Sequence, residues 1–326
     1  MGRAPAGGGS IPGLAGRADW FRVATMRPLP MVLLYVVVVF VGGALMAPWL
    51  YFLAQWAGGH SSVLHSLAQN PFHRFVNRSL LGLAVVGLWP LLKGLGVRRW
   101  QDVGLVRPAG QWSRLGQGFA VGFGSLALVA LIALLAGGRQ LNPGQEASDW
   151  GRNLGTAIAA AIVVSVLEEV LFRGALFGAC RKAYPWPMAL LLSSAVYALV
   201  HFFSRPPPPA SIDWAAGLVT LSRMLSGFGE IQQLVPGFFS LTLAGILLGM
   251  AYQRTGNLYF SMGLHAGWIF WLKSYGFLTH ATPGANGWWW GTGKLIDGWL
   301  AFGVLGCVLA GLIRMDAAEP GSKGDA

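Results

Sequence analysis

The chain has 326 residues, 54% of them hydrophobic and only 11% charged, against roughly 25% charged in a soluble domain. That balance excludes water as the main solvent of the fold. The formal net charge of +11 is not a nucleic-acid signature, because the basic residues sort into alternate loops between apolar runs instead of gathering in one patch.

Residues 1–30, "MGRAPAGGGSIPGLAGRADWFRVATMRPLP", are rich in Gly and Pro and carry four arginines; they read as a disordered basic tail. The apolar run behind them is too long for a signal-peptide core and lacks a cleavage site, so the first helix is expected to be retained. Runs long enough to cross a bilayer, each about 17 to 25 residues, then recur at 31–53, 80–96, 118–138, 154–180, 187–203, 237–252, 257–273 and 295–313. The expected fold is all-α: a polytopic transmembrane helical bundle of about eight helices over 31–313, followed by a short cytoplasmic tail at 314–326. With the N-terminus inside, 15 of the 23 Lys and Arg residues fall on the inner side and 8 on the outer, so both termini are expected in the cytoplasm. Ala/Gly-rich composition and the lack of an organelle signal lead us to expect a multi-pass protein of a prokaryotic plasma (inner) membrane, with membrane lipids as its surroundings and no nucleic-acid partner.

Two connections stand out. Residues 96–116, "GVRRWQDVGLVRPAGQWSRLG", form a basic inner segment with Trp100 and Trp112 suited to the headgroup layer. In 204–235, "SRPPPP" stiffens a helix exit and "IDWAAGLVTLSRML" (212–225) has the pattern of a helix lying on the membrane surface; this insert reads equally as a lid and as an interfacial anchor. Gly118-x-x-x-Gly122 reads as close packing within the bundle, not as a dimer motif. Cys180 and Cys307 read as packing residues, and His60, His65, His73 and His280 as loop histidines. The triplet Trp288 to Trp290 reads as an aromatic belt.

"SVLEEVLFRGALFG" (165–178) is the anomaly, because an ionisable group at mid-bilayer costs about 2.5 to 3.5 kcal/mol on insertion scales and calls for a partner or a purpose. Glu169 and Arg173 are four apart with the acid first, the favourable order for a helical ion pair. They continue the small row Ala157, Ala161, Ser165. Glu168 is rotated about 100° away, has no basic partner on its own helix, and needs one from elsewhere. Lys182 is 182 − 168 = 14 residues from Glu168, and His201 is 201 − 187 = 14 residues into the next run, so both lie about 21 Å from the inner side. His265 is 265 − 254 = 11 residues beyond Arg254, about 16 Å in. One acid and two imidazoles thus share a level, which suits general acid–base work.

In series these residues resemble a known family. Glu168-Glu169-x-x-x-Arg173, the pair Tyr197-x-x-x-His201, and His265 in "TGNLYFSMGLHAGW" look like the CAAX protease and bacteriocin-processing family of intramembrane proteases, also called Abi or Rce1-like. The likeness covers about 150–275, and "DVGLVRP" (102–108) is similar to a segment such proteins carry before this core. The resemblance implies a peptide-bond hydrolase with eight helices and a cavity open to the cytoplasmic side. It implies that Glu168 activates water assisted by His201, that His265 stabilises the oxyanion, and that Glu169 and Arg173 support them. Two positions depart from the pattern: Tyr197 stands where Phe is usual, and Ile269 stands where the family carries Asn or a similar polar residue.

The implied partner is a protein or peptide substrate, lipidated in the eukaryotic relatives. No cofactor is expected; the alternative is zinc held by Glu168, His201 and His265, disfavoured because no HExxH pair is present and Arg173 already occupies Glu169. The main alternative function is a catalytically degenerate membrane protein that binds a hydrophobic or lipidated peptide in an immunity or scaffold role. A proton relay through Glu168 is weaker, since the internal repeats and broken helices of transporters are absent.

Overall fold

The computed structural model describes residues 28–204 and 206–317, and each of the eight apolar runs centres on a helix. The tail at 1–27 and residues 318–326 lie outside the described residues. Five helices are long and apolar enough to cross a bilayer: Pro30–His60 (α1), Phe72–Gly94 (α2), Trp112–Leu135 (α3), Ala147–Ala183 (α4) and, later in the chain, Ile231–Thr255. The remaining runs give Trp186–Leu199 (α5), Tyr259–Leu278 and Trp299–Ala317. The insert contributes Ala216–Met224 (α6), so the last three long helices are α7 (Ile231–Thr255), α8 (Tyr259–Leu278) and α9 (Trp299–Ala317). Five spans therefore stand by length and composition where eight were expected. The shortfall has local causes. Pro206–Pro209 cannot continue α5, buried Ser261, His265 and Ser274 make α8 more polar, and a folded loop at 291–298 delays α9 to Trp299.

Helix contacts fix the directions. Met31 lies against Gly94 and Leu80 against Gly43, so α1 and α2 are antiparallel. Phe202, Ser194 and Leu190 meet Gly237, Gly245 and Gly249 in turn, so α5 and α7 are antiparallel as well. The Ser240 hydroxyl donates to the Gly298 carbonyl (3.3 Å) and Arg254 Nη1 to that of Leu312 (2.6 Å), so α7 and α9 run parallel. One end of the bundle thereby collects the start of α1, the ends of α2, α4, α7 and α9, and the starts of α3, α5 and α8. Lys182 Nζ donates to Leu95 O across that end (2.5 Å). We call it the basic end. A two-stranded antiparallel ladder, Arg139–Leu141 (β1) with Thr279–Ala281 (β2), marks the other end.

Two seams hold the site's helices. On α3, a Cβ on Gly118 or Gly122 would run into the backbone of Phe260 and Leu264, and on α8 one on Gly263 or Gly267 would run into that of α3. Glycine is thus required for this close crossing, and the Gly118/Gly122 pair works within the chain. The opposite face of α8 meets α4, where Ala157, Ala161, Ser165 and Glu169 are all buried in one row. Beyond Glu169 the helix widens to π geometry over Val170–Phe177, with all but Leu171 buried. Such bulges commonly mark functional sites. The insert does not simply lie on the surface, because α6 buries Ala216, Gly217, Thr220 and Met224 and packs on α1 and α2, with Gly217 against the Ala44 carbonyl. Cys180 is buried, Cys307 is exposed, and both are free thiols.

Candidate active site

The two consecutive glutamates of α4 have opposite surroundings. Glu169 is fully buried; its Oε1 lies 3.0 Å from Arg173 Nη1 and 3.0 Å from His265 Nδ1. Arg173 also reaches the Gly245 carbonyl (3.5 Å) and stacks its guanidinium over the Tyr197 ring at 4.6 Å. An unpaired charge in such a dry place is costly, and one carboxylate, one guanidinium and one imidazole are paired through Glu169 Oε1, while Glu169 Oε2 makes no hydrogen bond. Because His265 Nδ1 faces the Glu169 carboxylate, that nitrogen donates, and Nε2 is turned toward Glu168.

Glu168 has no such closure. Its Oε2 finds no hydrogen-bond partner among the described residues, yet it lies 3.7 Å from His265 Nε2 and 3.8 Å from His201 Nε2. These separations are too long for direct hydrogen bonds. The glutamate side chain as a whole is 23% exposed, whereas Oε2 itself is buried between the two imidazoles.

His201 lies two residues past the end of α5, where an unbroken helix had been expected. The chain tightens there, with His201 N–H donating to Ala198 O (3.1 Å) and Phe202 N–H to Leu199 O (3.2 Å). The ring caps this frayed end, since His201 Nδ1 donates to the Tyr197 carbonyl at 2.6 Å, one of the orphan acceptors that every helix leaves at its C-terminus. That bond assigns the proton to Nδ1 and leaves Nε2 facing Glu168 as an acceptor. The structure thus brings Glu168, His201 and His265 together and sets Glu169 and Arg173 directly behind them.

The three side chains form the floor of a cavity of about 870 Å³, large enough for an extended peptide segment or a drug-sized ligand. Its walls are mixed. Phe202, Phe203, Leu241, Trp268, Ile269 and Leu272 are apolar, whereas Asn77, Glu230, Gln233, Lys294 and Asp297 are polar. Met224, Gly227, Glu230 and Gln233 come from the 204–235 insert, which is therefore part of the cavity wall. Ile269 offers no polar atom there, and the Trp268 indole N–H is occupied by Ser125 Oγ (3.0 Å).

Lys294 and Asp297 are the wall residues that sequence reasoning passed over. They sit in "GTGKLIDG" (291–298), where Asp297 accepts from Thr292 N–H (2.8 Å) and the Thr292 hydroxyl (2.5 Å). Leu295 is buried with φ +66°, a left-handed conformation that is rare for a branched residue and typical of functional sites. The glycine-rich run between two apolar segments was the available signal.

Residues 150–271 match the family model described as type II CAAX prenyl endopeptidase Rce1-like. Over that stretch the chain is similar to the Rce1-like endopeptidases. That match is to a protease family and supports a peptidase that acts on a protein or peptide substrate. The Rce1-like segment contains Glu168, Glu169, Arg173, His201 and His265, together with the insert and Ile269. Neither the curated proteins nor the solved structures contain a match to the chain.

Proposed function

We propose that the chain is an intramembrane endopeptidase in which Glu168, assisted by His201, activates a water molecule. The observation that carries this reading is the orphaned Glu168 Oε2 facing two imidazole Nε2 atoms on the floor of a cavity. Glu168 accepts a proton from water as the oxygen attacks the scissile carbonyl carbon. His201, with Nδ1–H anchored on Tyr197 O, orients that water through the free lone pair on Nε2. The π electrons of the carbonyl move onto its oxygen. His265, protonated on both nitrogens with Nδ1–H held by Glu169, presents Nε2–H to this oxyanion. The C–N bond then breaks, the oxyanion collapses to a carboxyl group, and Glu168 returns its proton to the leaving amine. General acid–base assistance of this kind contributes about 10²–10⁴-fold, and a preorganised oxyanion donor about 10²–10³-fold.

A carboxylate and two imidazoles, both in the neutral form, are donors that zinc accepts. Among the described residues, however, no group of three or more His, Cys, Asp or Glu side chains is arranged to hold a metal ion. No step is routed through a metal, and metal independence is part of the proposal.

The test uses the full chain in liposomes with a quenched-fluorescent library of hydrophobic peptides. Glu168→Gln and His201→Ala are each expected to lose cleavage by about 10²-fold or more while melting like the native protein, and chelators are expected to leave the rate unchanged. Cleavage that survives Glu168→Gln contradicts the mechanism. Loss with chelator and recovery with zinc transfers Glu168, His201 and His265 to a ligand role.

Ile269 favours a second reading, in which the cavity binds a hydrophobic or lipidated peptide without cutting it. Under that reading the native chain is silent and Ile269→Asn, by adding a polar group to the wall, switches cleavage on. Under the first reading the native chain already cleaves.

A further inference from the structure

The exposed residues among those that line the cavity, Glu230, Gln233 and Lys294, lie at one end of the bundle, and the charge pattern says which side of the membrane that is. Toward the basic end, the floor is backed by buried apolar side chains: Val103, Val170, Leu258 and Met262 are at most 4% exposed. Val103 belongs to "DVGLVRP" and packs on Gly174 in the π-helical stretch, and Leu258 N–H donates to Gly104 O (3.0 Å). The inner segment is therefore a plug. In the other direction the wall ends in exposed Glu230, Gln233 and Lys294. These lie at the start of α7 and just before α9, the end opposite Arg254 and Arg314.

The basic residues concentrate on the plugged end. It carries Lys93, four arginines in 98–114, Arg181 with Lys182, Arg254 and Arg314, and the four arginines of 1–27 precede α1, which starts there. The open end carries Arg74, Arg78, Arg139, Arg152, Arg223, Lys273 and Lys294 among the described residues, offset by Glu146, Asp149, Asp213, Glu230 and Asp297. Basic residues next to membrane helices stay in the cytoplasm, because carrying them across the membrane during insertion is unfavourable.

We infer that the cavity opens on the non-cytoplasmic face of the membrane, so that its substrate is a polypeptide segment exposed on that face or held in the outer leaflet. Resting on the endopeptidase reading above, this excludes a prenylated C-terminus presented from the cytoplasm. It is the opposite of the cytoplasmic opening that the family resemblance implies. The mixed wall fits such a substrate, since it offers apolar side chains together with the exposed polar groups of Glu230, Gln233 and Lys294.

The test needs no substrate and so stands apart from the question of activity. Two versions of the full chain, each with one exposed cysteine, are made on a Cys307→Ser background, with Cys180 left in its buried position. Gly229→Cys is at the cavity rim and Ala109→Cys at the basic end; both positions are exposed, and each variant is first shown to melt like the native chain. Intact bacterial cells are treated with a membrane-impermeant maleimide. The expected result is labelling at 229 in intact cells and at 109 only after permeabilisation. Labelling at 109 in intact cells, with or without labelling at 229, overturns the inference, as does protection of 229 until permeabilisation. Cleavage of cytoplasmic segments by a chain whose residue 229 labels from outside would overturn the substrate assignment while leaving the endopeptidase reading intact.

Discussion

Glu168 and Glu169 are consecutive, yet one stands on a cavity floor with its Oε2 near two imidazoles but in no hydrogen bond, and the other lies in a dry region with its Oε1 held by Arg173 and His265. Rotation by about 100° on the helix is enough to carry neighbouring residues from structure into chemistry. The closed region is rigid for a further reason. The glycine crossing of α3 and α8 locks the back of the helix whose front carries His265, so the imidazole is held from both sides. The open region depends on parts from distant stretches of chain: the end of α5, the insert and the 291–298 loop.

The contrast is broken most strongly at Glu168. Glu168→Gln keeps the shape and removes the base, so peptide cleavage is expected to fall by about 10²–10⁴-fold with the melting temperature unchanged, because no hydrogen bond of Glu168 Oε2 is lost. Arg173→Met should do the reverse. It leaves buried Glu169 without its guanidinium partner, a change of up to about 3–5 kcal/mol, read as a lower midpoint of unfolding in detergent. Replacing both partners by apolar residues should recover part of that loss, since a buried pair contributes little net stability once its desolvation is counted. Equal destabilisation by Glu168→Gln and Arg173→Met would erase the distinction between the two regions.

The smallest effect belongs to the plug segment. Asp102 accepts from the Arg98 and Arg99 backbone N–H groups at 2.8 and 2.9 Å, and those bonds hold its carboxyl below the ordinary value of 3.8. A carboxyl lowered by folding stabilises the fold above the unfolded value, and that contribution is lost as pH falls through the lower folded value. Asp102→Asn is therefore expected to lower stability slightly at neutral pH and to flatten the acid limb of the unfolding curve below about pH 4 by the same small amount. An unchanged acid limb would show that these bonds are not formed in solution.

Much of the closed region was legible in the sequence, because it is built on helical spacing. The row Ala157, Ala161, Ser165, Glu169 and the pair Glu169 and Arg173 follow from period 3.6 alone, and equal depth gave His201 and His265 as neighbours of Glu168. Depth could not say that α5 ends before His201, since its stop comes from prolines downstream and a ring that caps its own helix. Nor could periodicity find Lys294, which reaches the cavity through a loop bent by a left-handed Leu295, or the insert residues, which belong to the wall only because α6 docks on α1 and α2. Of the eight runs long enough to cross a bilayer, five stand as spans by length and composition; α5 and α9 are shorter apolar helices, and α8 carries buried Ser261, His265 and Ser274.

The central claim, that Glu168 activates water for peptide hydrolysis, is tested most directly by comparing membrane-proteome termini in cells carrying the native chain and in cells carrying Glu168→Gln at equal abundance. New termini present only with the native chain are the predicted result, and they would also give the cleavage-site preference. Identical termini in the two strains would contradict the claim and leave the cavity as a binding site whose occupant Ile269 helps to select.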